Sequence, residues 1–264
     1  MQKILAKIKI IQLILALSSI GTVQITAAAQ QQKVTALPLI AVKITQQALQ
    51  NICLSIQITC RGDALGLWQL KNDWAVYYLI DNTPQMIKLQ KSNGQFKVLD
   101  QWNFKDYQHS NQAPVHDDDL ASDGLLIYPA FYPLNKTERA IAILNQYFTG
   151  YSGGGVHENI ADFVKIENQG KYQVSLKDIL FSYSRMIRAC FTEQEYKTSP
   201  HCHDEEWGIL QIEFKDIGQK YYQWTLNFLN YEWAAFEPES RKQVQKSKKV
   251  VIPFQQCKHP LNPT

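Results

Sequence analysis

The amino-acid sequence predicts a mainly β protein of antiparallel, sandwich-like meanders, or an α+β protein with a short N-terminal helix. Short runs of aliphatic and aromatic residues, which favour strands, alternate with turn-forming residues along most of the chain. Ser92-Asn93-Gly94 and Asn168-Gln169-Gly170 contain residues that tolerate positive φ, as tight hairpins require. With 45% hydrophobic and 19% charged residues, the composition is that of a globular chain rather than a disordered one.

The first 29 residues are predicted to be a secretory signal peptide. Lys3, Lys7 and Lys9 precede the apolar stretch 10–17, and three alanines at 27–29 provide the small residues of a peptidase cleavage site. A retained membrane anchor is the alternative. It is disfavoured because polar residues break the apolar stretch before it reaches the ~20 residues that a span needs.

The predicted location is therefore periplasmic or secreted, with no stable membrane anchor. Residues 30–264 are expected to form a single β-rich exported domain with a possible internal break near 108–124. The whole chain has a net charge of +3, and the three lysines of the leader account for all of it. A neutral domain has no overall field that attracts phosphate backbones, so no nucleic-acid partner is expected.

The first element predicted after the leader is a short helix over 46–51, with Thr45 as its N-cap. Segment 135–149 fits a capped helix or a strand, and the strand is favoured in a chain already rich in strands. The charged segment 237–249 is predicted to be a solvated loop. Strands are predicted at 65–70, 74–80, 85–90, 95–102, 125–131, 160–167, 171–176, 179–181, 186–190, 209–214, 221–229 and 250–254.

The cysteines that follow the leader are predicted to form disulfides, because exported proteins reside in oxidising compartments. The short-loop pairs are Cys53–Cys60 and Cys190–Cys202, which leave Cys257 as a buried, inert thiol. In the alternatives, Cys53 and Cys60 stay unpaired, one of them bonds Cys257, or the odd thiol bridges two chains.

A metal site is the first candidate for chemistry. Imidazole and carboxylate groups bind zinc or copper, and the candidate ligands are His201, His203 and Asp204, with His157 joining them in three dimensions. The two histidines would share a face on a strand but need not in a loop. The favoured interpretation is a polar surface loop pinned by Cys190–Cys202, so no cofactor is expected unless zinc or copper occupies this loop.

Two loops are candidate binding sites. Successive glycines can direct backbone amides at an anion, although a simple turn between strands is the favoured interpretation of the glycine-rich loop. The acidic loop lacks the spacing of a calcium loop and is predicted to be an exposed contact for a basic partner. The residues concerned are Ser152, Gly153 and Gly154 in the first loop, and Asp117, Asp118 and Asp119 in the second.

The predicted function is that of an exported, non-catalytic binding protein with a protein partner. An inhibitor or immunity-type protein against an envelope-acting toxin or enzyme fits a rigid β scaffold with exposed loops. The alternative is a metal-dependent hydrolase or metal-binding protein that uses the His201/His203 loop. Catalysis is the less favoured class because each catalytic pattern fails on spacing, and the sequence predicts no oligomeric state.

Overall fold

Antiparallel strands dominate the computed structural model, which describes residues 33–60, 65–71, 73, 75–109 and 120–255. In this part of the chain the strands form one sheet in the order β12-β11-β10-β9-β8-β7-β6-β1-β2-β3-β4-β5. The predicted mainly β, antiparallel fold class is confirmed. The elements are β1 (Leu37–Ala41), α1 (Gln46–Ser55), β2 (Gly66–Leu70), β3 (Val76–Asp81), β4 (Gln85–Ser92), β5 (Gln95–Asn103), β6 (Ala121–Pro133), β7 (Arg139–Tyr151), β8 (Gly154–Ile166), β9 (Tyr172–Arg188), α2 (Glu193–Thr198), β10 (His203–Lys215), β11 (Gln223–Trp233) and β12 (Gln243–Val251).

Strand β1 joins two meanders, β2–β5 and β6–β12. It pairs with β2 on one side and with β6 on the other, so the first strand of the chain lies inside the sheet. Helix α1 follows directly, and the Thr45 hydroxyl caps it by accepting a hydrogen bond from the amide of Ala48. Its buried face packs on the β2–β4 part of the sheet through Leu49 and Ile52.

Strand β7 settles the ambiguous segment in favour of a strand. The cap-like residues before it form the β6–β7 turn, where Asn135 Oδ1 accepts hydrogen bonds from the amides of Thr137 and Glu138. An asparagine that bonds the following backbone stabilises a turn as readily as a helix start. The same local chemistry therefore produced the helix-like pattern.

Two predicted boundaries are wrong. The three short runs expected between 171 and 190 form one strand, β9, which a bulge near Asp178 interrupts without ending. The charged segment 237–249 is not a loop throughout, because β12 begins at Gln243 and pairs with β11 along nine residues. It is an edge strand, where lysines such as Lys246 and Lys248 discourage pairing with other chains. The same lysines make the segment resemble a solvated loop in the sequence.

Two tryptophans connect distant parts of the sheet. Trp224 has no exposed side-chain surface and donates its indole N–H to the carbonyl of Pro133 at 3.1 Å. Trp102 donates in the same way to the carbonyl of Glu167 at 2.7 Å, which fastens β5 to the β8–β9 hairpin. Each indole buries a large apolar area while its single polar atom is satisfied by backbone.

Both predicted disulfides are present, Cys53–Cys60 and Cys190–Cys202. No helix in the described ranges has the length and apolar character to cross a bilayer. The predicted leader (1–29), the acidic loop (117–119) and Cys257 lie outside the described residues.

Lys165 is a buried lysine held between two carboxylates. Its Nζ lies 2.9 Å from Glu138 Oε1 and 2.6 Å from Glu167 Oε1. The hydrogen bond from Lys165 is the main cause that lowers the pKa of the Glu138 carboxyl below its usual range. The charged form of Glu138 is therefore the one that the fold stabilises.

We expect Glu138→Gln to lower the free energy of unfolding by about 1 kcal/mol at pH 7. The folded-state pKa of Glu138 is lowered, so its contribution is present above the unfolded value of about 4.3 and is lost as the pH falls through the folded value. Urea unfolding of both proteins at pH 7 and pH 3 measures this difference. Glu193→Gln, which removes an exposed i,i+4 pair with Lys197, is the control and should change little. A difference between wild type and Glu138→Gln that persists at pH 3 would contradict the assignment.

Candidate functional site

Strand β10 begins inside the histidine-rich segment and determines which of its side chains lie together. Successive side chains of a strand point to opposite faces, so His203, Glu205 and Trp207 share one face. Pairing on both sides fixes this face: Glu205 lies opposite Met186 on β9 and opposite Trp233 on β11. The segment predicted to be a surface loop from 201 to 206 is thus strand from His203 onward.

His201 joins the same face from just before the strand. Its imidazole stacks flat on the indole of Trp233, with ring centroids 3.6 Å apart and an interplanar angle of 2°. Its backbone is held on both sides, because its carbonyl accepts hydrogen bonds from the Ser199 hydroxyl at 2.6 Å and from the Phe236 amide at 2.8 Å. The imidazole is therefore placed by packing and by backbone bonds before any ligand arrives.

We call His201, His203 and Glu205 the β10 donor set. One nitrogen or oxygen atom from each of the three lies within 4.8 Å of the other two. The side chain of His201 is only 9% exposed, and its Nε2, which lies 3.8 Å from Glu205 Oε1, is buried without a hydrogen-bond partner. Leaving such an atom unsatisfied costs about 1–3 kcal/mol, a cost that a coordinated cation would remove.

The donor atoms fit a small transition-metal ion. Zinc bonds of about 2.0–2.1 Å place two donors of a tetrahedral site about 3.3–3.4 Å apart, close to the observed 3.8 Å. Two imidazoles and a carboxylate are ligands that suit zinc or copper. With three protein donors, one or more coordination positions are left for water or for an atom of another molecule.

The structure brings together only part of the predicted metal set. His201 and His203 adjoin, with ring centroids 5.9 Å apart. Asp204 points to the opposite face, where its Oδ1 accepts a hydrogen bond from the amide of Ala235. His157 lies exposed on β8, where its ring contacts that of Phe148, outside the donor set. Glu205 was missed, although the spacing His-x-His-x-Glu predicts its position once the segment is read as a strand.

Ser152, Gly153 and Gly154 form the hairpin turn between β7 and β8. Gly153 has φ +93°, and its carbonyl accepts a hydrogen bond from the amide of Arg188. A Cβ atom at Gly154 would overlap the carbonyl oxygen of Met186. The turn and the close approach of β9 account for both glycines, and an anion-binding role stays a prediction.

An acidic cavity of about 390 Å³ lies at the same end of β10, with its acidic side chains Asp204, Glu206 and Glu232 on the face opposite to the β10 donor set. Arg185 lines it and pairs with Glu206 at 2.9 Å, and the Tyr183 hydroxyl donates to the same carboxylate. Burial, followed by this hydrogen bond, raises the pKa of Tyr183, so the phenol stays protonated. The lining residues are Arg185, Ile187, Asp204, Glu205, Glu206, Glu232, Trp233 and Ala234.

Glu232 is the carboxylate of this cavity that the protein itself leaves uncompensated. It lies directly opposite Glu206 across the β10–β11 ladder, an arrangement in which like charges destabilise a sheet. Within the described part of the chain no lysine, arginine or histidine pairs with it. The cavity therefore has an excess of negative charge on the face opposite to the β10 donor set.

No protein-family model matches the chain, and no curated protein or solved structure matches it either. The case for a function therefore rests on the geometry of these residues.

We expect removal of the Cys190–Cys202 disulfide to disturb this site. The disulfide closes a loop with a sequence separation of 12, and Cys202 lies between the two histidines. Loop-closure entropy predicts that Cys190→Ala/Cys202→Ala lowers the free energy of unfolding by about 3 kcal/mol. Near-ultraviolet circular dichroism should report a weakened Trp233–His201 stack.

The matched control is Cys53→Ala/Cys60→Ala, which removes a disulfide of separation 7 at the other end of the sheet. It should reduce stability to a similar extent and leave the aromatic spectrum unchanged. An identical spectrum for both double variants would show that the disulfide does not hold the site.

Proposed function

We propose that this chain is an exported binding protein for a divalent transition-metal ion, zinc or copper, held by the β10 donor set. The observation that carries the proposal is the buried, unpartnered Nε2 of His201, which lies beside His203 and Glu205 with donor atoms within 4.8 Å. The flat stack on Trp233 and the backbone bonds of His201 place this ligand in advance, which lowers the cost of ordering it.

Export is part of the same proposal. Two disulfides support an oxidising compartment, where thiols would be oxidised and imidazole and carboxylate are the durable metal ligands. Lys242 adds to the rigidity of the site, since its Nζ lies 5.0 Å from the centroid of the Trp233 ring and 5.3 Å from that of Trp207. Rigid placement of the ligating side chains favours tight binding of an ion that prefers the coordination geometry they offer.

Isothermal titration calorimetry with Zn²⁺ tests the proposal. Replacing His201 and His203 by alanine should lower the zinc affinity of this site at least about 100-fold, because two of its three donors are lost. Glu205→Gln should weaken binding as well, since a neutral amide is a poor zinc ligand. Bound zinc should also raise the free energy of unfolding by about 2.7 kcal/mol when free zinc is at about 100 times Kd, and the melting temperature should rise accordingly.

Asp204→Asn and His157→Ala are the matched controls. Both residues were candidate ligands, but the structure places them outside the β10 donor set, so these variants should bind zinc as the wild type does. An unchanged number of zinc ions bound per chain in the His201/His203 double variant would refute the site. Turnover of an ester or peptide by the zinc-loaded protein would favour the hydrolase instead.

A second candidate function is recognition of a basic partner protein, as an inhibitor or immunity protein would require. The observation that favours it is the acidic cavity with its uncompensated Glu232. A lysine or arginine of a partner would neutralise this carboxylate and relieve its repulsion from Glu206.

We expect Glu232→Gln to weaken such a complex about tenfold, the effect of about 1.4 kcal/mol. The measurement is size-exclusion chromatography and mass spectrometry of the tagged protein after capture from an envelope extract, at low and high salt. Glu213→Gln, which removes an exposed carboxylate farther along β10, is the control. A stoichiometric partner that remains bound to Glu232→Gln at every salt concentration would exclude the cavity as its contact.

A further inference from the structure

A second group of metal-ligating side chains lies on the β8–β9 ladder, at the bulge. Ala161 pairs with Ile179 and Phe163 with Leu176, so the single residue Asp162 faces two residues, Lys177 and Asp178. Asp178 has φ +57°, a left-handed conformation that aspartate tolerates better than most residues. The bulge re-aims the side chain of Asp178, as bulges beside functional sites often do.

Asp162 has no exposed surface. Its Oδ2 accepts a hydrogen bond from the Tyr107 hydroxyl at 2.7 Å, and its Oδ1 accepts one from the amide of Asp178 at 2.9 Å. Burial and this bond to Asp162 raise the pKa of Tyr107, so the phenol stays a donor. Asp162 is thus oriented as a metal-binding carboxylate is oriented by its outer neighbours.

His109 and Asp178 complete the group. The side chain of His109 is 6% exposed, and its Nε2 lies 3.5 Å from Asp162 Oδ1. One donor atom each from His109, Asp162 and Asp178 lies within 4.8 Å of the other two. The Oδ1 atom of Asp178 is buried and has no hydrogen-bond partner. We call these three residues the bulge donor set.

Two carboxylates at this depth repel each other unless a cation lies between them. Burial, followed by the charge of Asp162, raises the pKa of Asp178 above its usual range. Among the described groups that act on Asp178, the opposing charges are those of His109 and Lys177. A divalent ion between the two carboxylates would compensate both charges at once, which a single imidazole does not.

We infer that His109, Asp162 and Asp178 form a second metal site, independent of the β10 donor set, for a first-row divalent transition-metal ion. One imidazole and two carboxylates suit Zn²⁺ or Mn²⁺, whereas the imidazole argues against Ca²⁺ and Mg²⁺, which prefer oxygen ligands alone. The 3.5 Å between His109 Nε2 and Asp162 Oδ1 is close to the spacing of about 3.3–3.4 Å in tetrahedral zinc. Asp178 is half-buried, and its exposed side provides the entry path.

A purely structural role explains only part of this geometry. Asp162 caps the bulge by binding the amide of Asp178, and that bond would hold the strand without any metal. It does not explain why His109 is buried against the same carboxylate. It also leaves the buried Oδ1 of Asp178 unsatisfied, which a coordinated ion would correct.

The test uses the full chain in which His201 and His203 are already alanine, so that zinc at the β10 donor set does not contribute. Titration with Zn²⁺ should show about one ion per chain in this background. Adding Asp178→Asn should weaken binding at least about 100-fold, because a charged donor is lost without a change in shape. Asparagine also tolerates the left-handed conformation, so this variant should fold. His109→Gln should act in the same direction, and Lys246→Gln, which removes an exposed charge on the distant edge strand β12, should leave the affinity unchanged.

Thermal unfolding provides a second readout that does not depend on calorimetry. Without metal, Asp178→Asn should unfold at a higher temperature than its parent at pH 7, since it removes one of two repelling charges. With excess Zn²⁺ the order should reverse, because only the parent is stabilised by binding. No zinc binding in the parent, or zinc binding that survives both Asp178→Asn and His109→Gln, would overturn the inference. Either result is separate from the test of the β10 donor set, which compares wild type with the His201/His203 variant.

Discussion

The pairing of β10 with β9 on one side and β11 on the other controls what this protein presents to a ligand. Because side chains alternate along a strand, a slip of one residue would exchange the face of His203 and Glu205 for that of Asp204 and Glu206. The Cys190–Cys202 disulfide opposes such a slip at the start of β10, together with the bond from the Ala189 amide to the Cys202 carbonyl. The register therefore decides the chemistry of the site.

Both donor sets share a physical origin in buried polar atoms that the protein leaves unsatisfied. His201 Nε2 and Asp178 Oδ1 are each buried without a hydrogen-bond partner. Other buried polar groups are satisfied: Trp224 and Trp102 donate to backbone carbonyls, and Lys165 has two carboxylates. Gln69 Nε2 and Asn230 Oδ1 are also buried without a partner, but His201 Nε2 and Asp178 Oδ1 differ from them in lying within a group of metal-ligating side chains.

Local patterns in the sequence were sufficient for the fold class and for much of the first meander. Hydrophobic runs and turn residues predicted β2–β5, and Thr45 marked the start of α1, because these depend on neighbours in sequence. Strand β12 was missed because an edge strand carries lysines, and β9 was divided because its bulge resembles a turn. The donor sets depend on register: Glu205 and Asp178 join their donor sets only through pairing between strands, which a single sequence does not specify. His201 and His203 were found because they are close in sequence.

Strand β10 presents the two proposed functions on opposite faces of the sheet. His203 and Glu205 lie on one face, whereas Asp204 and Glu206, with Glu232 beside them on β11, lie on the other face and line the acidic cavity. A metal ion on the β10 donor set and a basic group in the cavity would therefore use different carboxylate side chains. Any coupling between the two ligands has to pass through the strand itself, and linkage requires it to be reciprocal. One register thus places both sites, and a slip of one residue would disrupt both.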